Sequence, residues 1–358
     1  MSRRFRIIDT GVREGRMNIA LDQALVNLHQ AGVIGDTIRF LQFVPSALVG
    51  RHQAISRELH LDYCKSQSIQ TVRRITGGGA LFMDEGQLGF ELLFRRDIFP
   101  AASLANLAQL ICEAAAEGIR GLGVNARYRP RNDIEVDGRK ISGTGGFFDG
   151  DTMFYQGTLL VDFDAGKMLS ALNVPKEKLV KHELDSASTR VVSLKELLGP
   201  RTPDHAAIKT ALIDGFARGL NIEPVWDLPT PAEEHEARKI YAEEIGTDDF
   251  VWQIDDPEDC GDVFCASVTS AGGTVSAHLR LEKDRIREAL ITGDFIVTPP
   301  RIIVDLEASL RGLKANDIDR HVAAFFAESN VGLLSIAPSD FSAAMNAALS
   351  GCGKHVVP

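Results

Sequence analysis

Arg73–Arg74–Ile75–Thr76–Gly77–Gly78–Gly79–Ala80–Leu81–Phe82 sets two arginines before three consecutive glycines and follows them with an apolar run. Three glycines in a row free the backbone and remove side-chain bulk. Their N–H groups can approach a ligand closely and point at an anion or a carbonyl. The arginines add fixed charge and forked donors that suit a phosphate or a carboxylate. Taken alone, the stretch fits a glycine-rich hairpin turn beside a salt-bridged strand equally well.

Further along, Arg131–Asn132–Asp133–Ile134–Glu135–Val136–Asp137–Gly138–Arg139–Lys140–Ile141–Ser142–Gly143–Thr144–Gly145–Gly146 runs on to Tyr155–Gln156–Gly157–Thr158–Leu159–Leu160. Asp137–Gly138 is a hairpin-turn signal, and Lys140 sits just past it. In this order the two stretches resemble the lipoate–protein ligase A family, within the wider lipoate and biotin ligase superfamily. The family's glycine loop reads Arg-Arg-x-Ser/Thr-Gly-Gly-Gly-Ala-Val-Phe, and its lysine segment holds Asn-Asp followed by Gly-Arg-Lys-Ile-Ser-Gly. Met17–Asn18–Ile19–Ala20–Leu21–Asp22, Gly50–Arg51–His52–Gln53, Leu169–Leu172 with Val174–Pro175, and Ser188–Leu194 are similar to further family segments.

A chain of 358 residues has room for one large domain or two ordinary ones. Its net charge of −10 gives no reason to expect a nucleic-acid partner. Cys64, Cys112, Cys260, Cys265 and Cys352 show neither metal-ligand spacing nor an even framework, which predicts reduced thiols in a cytoplasmic protein. The basic start, Met1–Arg6, lacks the apolar core of a signal peptide, and no run approaches the length of a membrane span.

Met17, Ala20, Leu21, Ala24, Leu25 and Leu28 recur at helical spacing, with Asp22 and Gln23 turned elsewhere. Thr37–Phe43 alternates as a strand, 57–69 reads as a helix, and Val72 and Gly89–Phe94 flank the glycines as strands. A long amphipathic helix runs from Leu104 to Ile119; strands follow over Asn132–Val136, Lys140–Gly143 and Phe154–Phe163, and a helix over Ile208–Leu220. Asp227–Pro231 reads as a linker. The expected domains are a catalytic one over 1–230 and an accessory one over 235–358. The second half shows strands over Phe264–Thr269, Thr274–Leu281 and Ile286–Thr292, with helices over Leu306–Leu313, Ile318–Phe326 and Phe341–Leu349. The resemblance implies an α+β fold: a class II synthetase-like mixed β-sheet with flanking helices, plus a small α+β accessory domain.

It also implies a reaction in two steps. Lipoate and ATP give lipoyl-adenylate and pyrophosphate; a lysine of an acceptor protein's lipoyl domain then attacks the mixed anhydride and releases AMP. Such chemistry needs negative charge neutralised and positioned, and no covalent nucleophile. By resemblance, Lys140 contacts the α-phosphate and the acyl carbonyl oxygen; read in isolation it is a solvent-exposed lysine beside a hairpin. Arg74, Gly77, Gly78, Gly79, Ala80, Asn132, Asp133, Ser142, Gly143, Thr144 and Gly145 carry over as adenylate or substrate contacts. Asp133 is a candidate Mg²⁺ ligand through oxygen, or else a turn cap. Phe82 and Leu21 are candidates to line an apolar slot, though core packing accounts for them equally well, and Arg129, Arg131 and Arg139 to meet an acidic acceptor. Met83 and Gln156 stand where the family usually has histidine, which bears on acyl selectivity. Two rivals remain. One is an octanoyl or lipoyl transferase, which would need a cysteine within or just after Lys140–Leu160. The other is a non-catalytic protein that binds a lipoyl carrier. The glycine–arginine loop of a biotin ligase is not found.

Overall fold

Gly89–Phe94, the glycine and apolar run leaving the glycine loop, lies in the middle of the main sheet. The computed structural model describes residues 3–99, 103–173, 190–257, 262–270, 272–329 and 331–351. In chain order the first half has strands β1 (Arg3–Arg13), β2 (Thr37–Phe43), β3 (Ser46–Val49), β4 (Gln70–Arg73), β5 (Leu81–Met83), β6 (Gln87–Arg95), β7 (Arg127–Arg129), β8 (Asp133–Val136), β9 (Arg139–Asp149), β10 (Thr152–Leu160) and β11 (Ile222–Trp226). Eight of them form one mixed sheet, ordered β11–β1–β2–β6–β10–β9–β8–β7. Its β1–β2 and β1–β11 pairs are parallel and the rest antiparallel.

Alternation along β6 divides the core. Leu88, Phe90, Leu92 and Phe94 enter one layer, closed by the helices Leu104–Gly121 and His205–Leu220. Each such fully buried side chain contributes about 1.5–3 kcal/mol. Leu93 points the other way, with Ile8, Leu41, Phe43 and Phe154, against the helix Gly15–Gln30. The Glu14 carboxylate starts that helix by accepting from Met17 N–H at 3.0 Å. On this second face β6 also carries Gly89 and Glu91, paired with Thr158 and Gln156 of β10. Small and polar side chains at these four positions leave the layer underfilled, and a cavity results.

Several expectations change. The glycine run is not a hairpin turn: β3 lies between β4 and β5, so the strands it connects do not pair with each other. Residues 57–69 form two short helices, Ile55–Glu58 and Leu61–Ser66, because Leu59 leaves the helix to bridge Leu172. The Lys140–Gly143 strand continues to Asp149, so Thr144–Gly146 also pairs in the ladder. Asp22 is buried, not turned outward. Val174–Pro175 and Ser188–Thr189 lie outside the described residues.

Past Asp227–Pro231 the chain stays on the first half. A capping box at Thr230 starts the helix Pro231–Ile240. Glu233, Glu234 and Asp248 pair with Arg6, Arg13 and Arg16 at 2.8, 2.5 and 2.8 Å. Ala237, Ile240, Ile245 and Phe250 join the layer under Gly15–Gln30. Arg73, with no exposure, donates to the carbonyls of Gly50, Arg51, Gln53, Val251 and Ile254, tying this segment to the Gly50–Gln53 loop.

A separate apolar core begins with Phe264. It lies between an antiparallel sheet, β12 (Val263–Ser270), β13 (Gly273–Glu282) and β14 (Arg285–Gly293), and the helices Ile302–Leu310, Ile318–Glu328 and Pro338–Ser350. A two-stranded piece, β15 (Ile296–Thr298) with β16 (Gly332–Leu334), reaches the first half. Thr298 Oγ1 donates to Phe148 O at 2.9 Å and accepts from Phe148 N at 2.6 Å. The turn from β14 to β15 lies on the glycine loop: Gly78 N–H donates to Phe295 O at 3.2 Å, and Gly293 N–H to His52 O at 2.9 Å. Among the described residues no helix is long and apolar enough to cross a membrane.

A Cβ on Gly77 would run into the main-chain carbonyl oxygen of Phe295. Gly77→Ala is therefore expected to lift the β14–β15 turn and loosen the second half. Small-angle scattering should show a larger radius of gyration; an unchanged radius with an unchanged melting curve would contradict this.

Candidate active site

The underfilled face of the sheet holds a narrow cavity of about 30 Å³. Ile19, Leu41, Phe43, Leu48, Leu81 and Met83 give it apolar walls; Arg74, Gln156, Thr158, Asp22 and Glu91 add polar groups. An apolar slot with a few convergent polar groups suits an acyl chain with a charged end. Leu81 and Met83 face it because β5 alternates. Phe82, expected there, points to the opposite side and packs with Ala47, Val49 and Leu59, while Ala80 packs on that same cluster. Leu21 sits in the layer behind the cavity, and Ile19 and Asp22 of the same helix line it instead. Met83 and Gln156, the two departures from the family pattern, both line this cavity.

Arg74 is buried and wraps the glycine loop. Its guanidinium donates to Gly77 O (3.2 Å), Gly79 O (2.9 Å), Leu48 O (3.3 Å) and Thr76 Oγ1 (3.4 Å). Burial brings its pKa down to about 10, so it stays charged at neutral pH. Four donor contacts among five N–H groups leave capacity for one ligand oxygen. Gln156 Nε2 donates to Thr76 Oγ1 at 2.7 Å, which turns the amide toward the loop. Gly78, at φ +96°, takes a conformation that favours glycine, and its N–H is held by Phe295 O.

Lys140 stands on β9, one strand from the cavity wall. Main-chain bonds from Lys140 N to Arg190 O (2.8 Å) and Val192 N to Lys140 O (2.9 Å) fix its backbone. Its ammonium lies 2.8 Å from Asp133 Oδ1, and its side chain is 35% exposed. The diagonal reach is possible because Gly143, paired with Asp133 on one side and Thr158 on the other, has no side chain. A Cβ there would lie within 2.5 Å of the Lys140 ammonium. Asp133 Oδ2 is held by Arg129 at 2.5 Å. Burial pushes the Asp133 carboxyl up, but Lys140 and Arg129 outweigh it and hold the group below its ordinary value.

Asn132 and Thr144 are occupied in locking these strands. The Asn132 side chain donates to Thr144 O, and Thr144 N–H and Oγ1 donate to Asn132 O at 2.9 and 2.8 Å. Tyr155 OH lies 2.5 Å from Thr144 Oγ1, and Cys112 Sγ lies 3.3 Å from the same oxygen. Ser142 Oγ is buried without a hydrogen-bond partner among the described residues, and Gly145 faces Ile296. Of the basic landing residues, Arg129 is consumed by Asp133 and Glu135 and Arg139 by Glu196.

A protein-held Mg²⁺ does not fit Asp133 as arranged. Each carboxylate oxygen already faces a cation, and among the described residues no group of three His, Cys, Asp or Glu side chains could hold a metal. Cys112 lies behind β9, and burial pushes its thiol up to about 11, far from a reactive thiolate. Cys64 is also buried, and Cys265 is exposed on β12; Cys260 and Cys352 lie outside the described residues.

Sequence reasoning missed the polar cluster beneath the cavity. Arg39 Nη1 donates to Asp22 Oδ1 at 2.6 Å and Glu91 Oε2 at 3.1 Å, and Nη2 donates to Asn18 Oδ1 at 2.6 Å. The available signal was a charge in the centre of each of two mostly apolar strands, at Arg39 and Glu91.

This mixed sheet is that of class II synthetase-like lipoate ligases. A lipoate-protein ligase A bound with ATP superposes with a TM-score of 0.61 at 26% identity, covering 70% of this chain and 99% of that one. A bi-partite lipoate protein ligase of Thermoplasma acidophilum, described together with its E2 lipoyl domain, gives 0.62 at 26% identity, covering 72% and 99%. The lipoate complex of P. falciparum LipL1 gives 0.72 over 91% of this chain and 95% of that one; at 18% identity it shows the fold alone.

A model of the lipoyl protein ligase A/B catalytic domain matches residues 14–217, and the chain belongs to that family. The octanoyltransferase LipM of Halalkalibacterium halodurans is 28% identical over 69% of this chain and 98% of its own length. The lipoate-protein ligase LplJ of Bacillus subtilis is 32% identical over 54% of this chain. The match spans about half of that ligase, 56% of its length.

Proposed function

We propose that this family member is an ATP-dependent lipoate–protein ligase, activating lipoate as its adenylate and passing the lipoyl group to a lysine of an acceptor protein's lipoyl domain. The observation that carries this reading is the ledge at Gly143, where the Lys140 ammonium rests one strand from an apolar cavity that Arg74 also lines. Arg74 binds the carboxylate of the acid. The carboxylate oxygen bonds to the α-phosphorus, and pyrophosphate leaves with its electron pair. Lys140 neutralises charge on the α-phosphate, and later on the acyl oxygen as the acceptor amine attacks and AMP departs. The amine's proton passes to water or a nearby carboxylate. A Mg²⁺ in this reading arrives on the nucleotide's phosphates. The second half, 235–358 in the sequence reading, must release the Gly78 N–H before a phosphate oxygen takes it.

Octanoyl transfer is the second reading, favoured by the match along nearly all of LipM. It needs an accessible thiolate, which neither Cys64 nor Cys112 supplies. The full chain, and a variant with all five cysteines as serine, should be given lipoate, ATP and a lipoyl acceptor domain. Mass spectrometry of the acceptor reads the amide. The ligase reading expects ATP-dependent product from both proteins. ATP-independent transfer from an octanoylated carrier, lost in the serine variant, would replace it.

A further inference from the structure

The face shared by β7, β8 and β9 is a ladder of alternating charge. Register sets Arg127 opposite Glu135 and Arg129 opposite Asp133. Arg127 pairs with Glu135 at 2.8 Å, and Arg129 with Asp133 at 2.5 Å and with Glu135 at 3.5 Å. On the next strand Lys140 stands opposite Glu135, yet its ammonium reaches diagonally to Asp133. Two features direct it there. Glu135 is already engaged by two arginines, and Gly143, opposite Asp133, leaves the path clear.

We propose that Arg129 is a positioning residue, and that Asp133 serves as the carboxylate through which it holds Lys140 rather than as a metal ligand. The inference rests on Lys140 being the charge-stabilising lysine of the proposed reaction. Arg129 grips the outer oxygen of Asp133 and orients the inner one toward Lys140. Arg129 spans the two acids, Nη2 on Asp133 and Nη1 on Glu135, so the carboxylate it anchors has a fixed direction and the lysine that meets it inherits that direction. Placement within a fraction of an ångström is what such a charge needs to act at a reacting centre. Sharing Asp133 between two cations also keeps Lys140 from being sequestered in a single tight pair, so it transfers to a ligand oxygen.

The test uses the full chain with Arg129→Ala, Arg129→Lys, Asp133→Asn and, as a surface control, Arg301→Ala. Lipoate-dependent ATP turnover is followed against ATP, lipoate and Mg²⁺, and acylation of Lys140 by an activated ester is followed by peptide mass spectrometry. Arg129→Ala and Asp133→Asn are expected to lower kcat by about 10–100-fold, with KM for ATP and half-saturating Mg²⁺ within about threefold. Arg129→Lys should recover most of kcat. Asp133→Asn should label at Lys140 several-fold faster than the parent, Arg129→Ala slower than the parent because Asp133 then pairs with Lys140 alone, and Arg301→Ala unchanged. A large rise in the Mg²⁺ requirement of Asp133→Asn would make Asp133 a metal ligand and overturn the proposal. Parental kcat and labelling in Arg129→Ala would remove Arg129 from it. The labelling arm needs no turnover: an inactive parent would defeat the ligase reading while labelling still decides whether Arg129 and Asp133 hold Lys140.

Discussion

Lys140→Ala is expected to lower lipoyl-adenylate formation by about 10²–10³-fold, with KM for ATP changed only a few-fold; removing one preorganised charge-stabilising donor has effects of this size. The residue is placed for a charge role and for little else. Its backbone is pinned by the 190–192 segment, its stem crosses Gly143, and its packing contribution is small because the side chain is 35% exposed. The melting temperature should therefore stay close to the parent's. Lys140→Arg should recover little, since a planar guanidinium is broader than an ammonium and the ledge is only as wide as a missing Cβ. Single-turnover formation of the adenylate measures the loss directly. A variant retaining a third or more of the parental rate would remove Lys140 from the mechanism.

Arg39→Ala is expected to cost about 3–5 kcal/mol of stability, as removal of one partner from a buried ionic group usually does. Arg39 is fully buried and holds both Asp22 and Glu91. Burial raises both carboxyls, Glu91 well above its ordinary 4.5, and the Arg39 guanidinium opposes the rise in each. Glu91 binds its proton more tightly folded than unfolded. Its contribution is thus present below 4.5 and lost as pH rises through the higher folded value. Without Arg39 nothing offsets the carboxylates, and the loss should deepen toward neutral and basic pH. Replacing all three by apolar residues of similar volume should recover much of the stability, because a buried charge group is often no more stable than an apolar one. Urea denaturation at several pH values tests both points; a loss under about 1 kcal/mol for Arg39→Ala contradicts them.

What could be read in the sequence depended on whether the signal was local. The helix Gly15–Gln30, the long helix at 104–121 and the turn at Asp137–Gly138 each carry their own periodicity or turn chemistry. The family motifs likewise brought Arg74, Lys140 and Asp133 into view. The cavity could not be read the same way. It exists because Gly89 and Glu91 meet Thr158 and Gln156 across a register that only pairing defines. Slot and core stay open for Phe82 in the sequence because β5 spans only three residues, too few for alternation to show which face is inward. The glycine run was read as a ligand-binding turn, but Gly77 is also needed for approach by the carbonyl of Phe295. That carbonyl comes from a turn far along the chain, which no local pattern announces. The linker at Asp227–Pro231 was visible as composition. The packing of the following helices back onto Arg6, Arg13 and Arg16 was not, since ion pairs between distant segments leave no periodic trace.

ATP–pyrophosphate exchange with the purified full chain, run separately with lipoate, octanoate and no acid, tests the central claim most directly. Adenylation before transfer predicts exchange that requires an acid and ATP, proceeds without any acceptor protein, and disappears in Lys140→Ala. Exchange absent with both acids, while an octanoyl group still passes from carrier to acceptor without ATP, would contradict the account and make this chain an acyl transferase on the ligase fold.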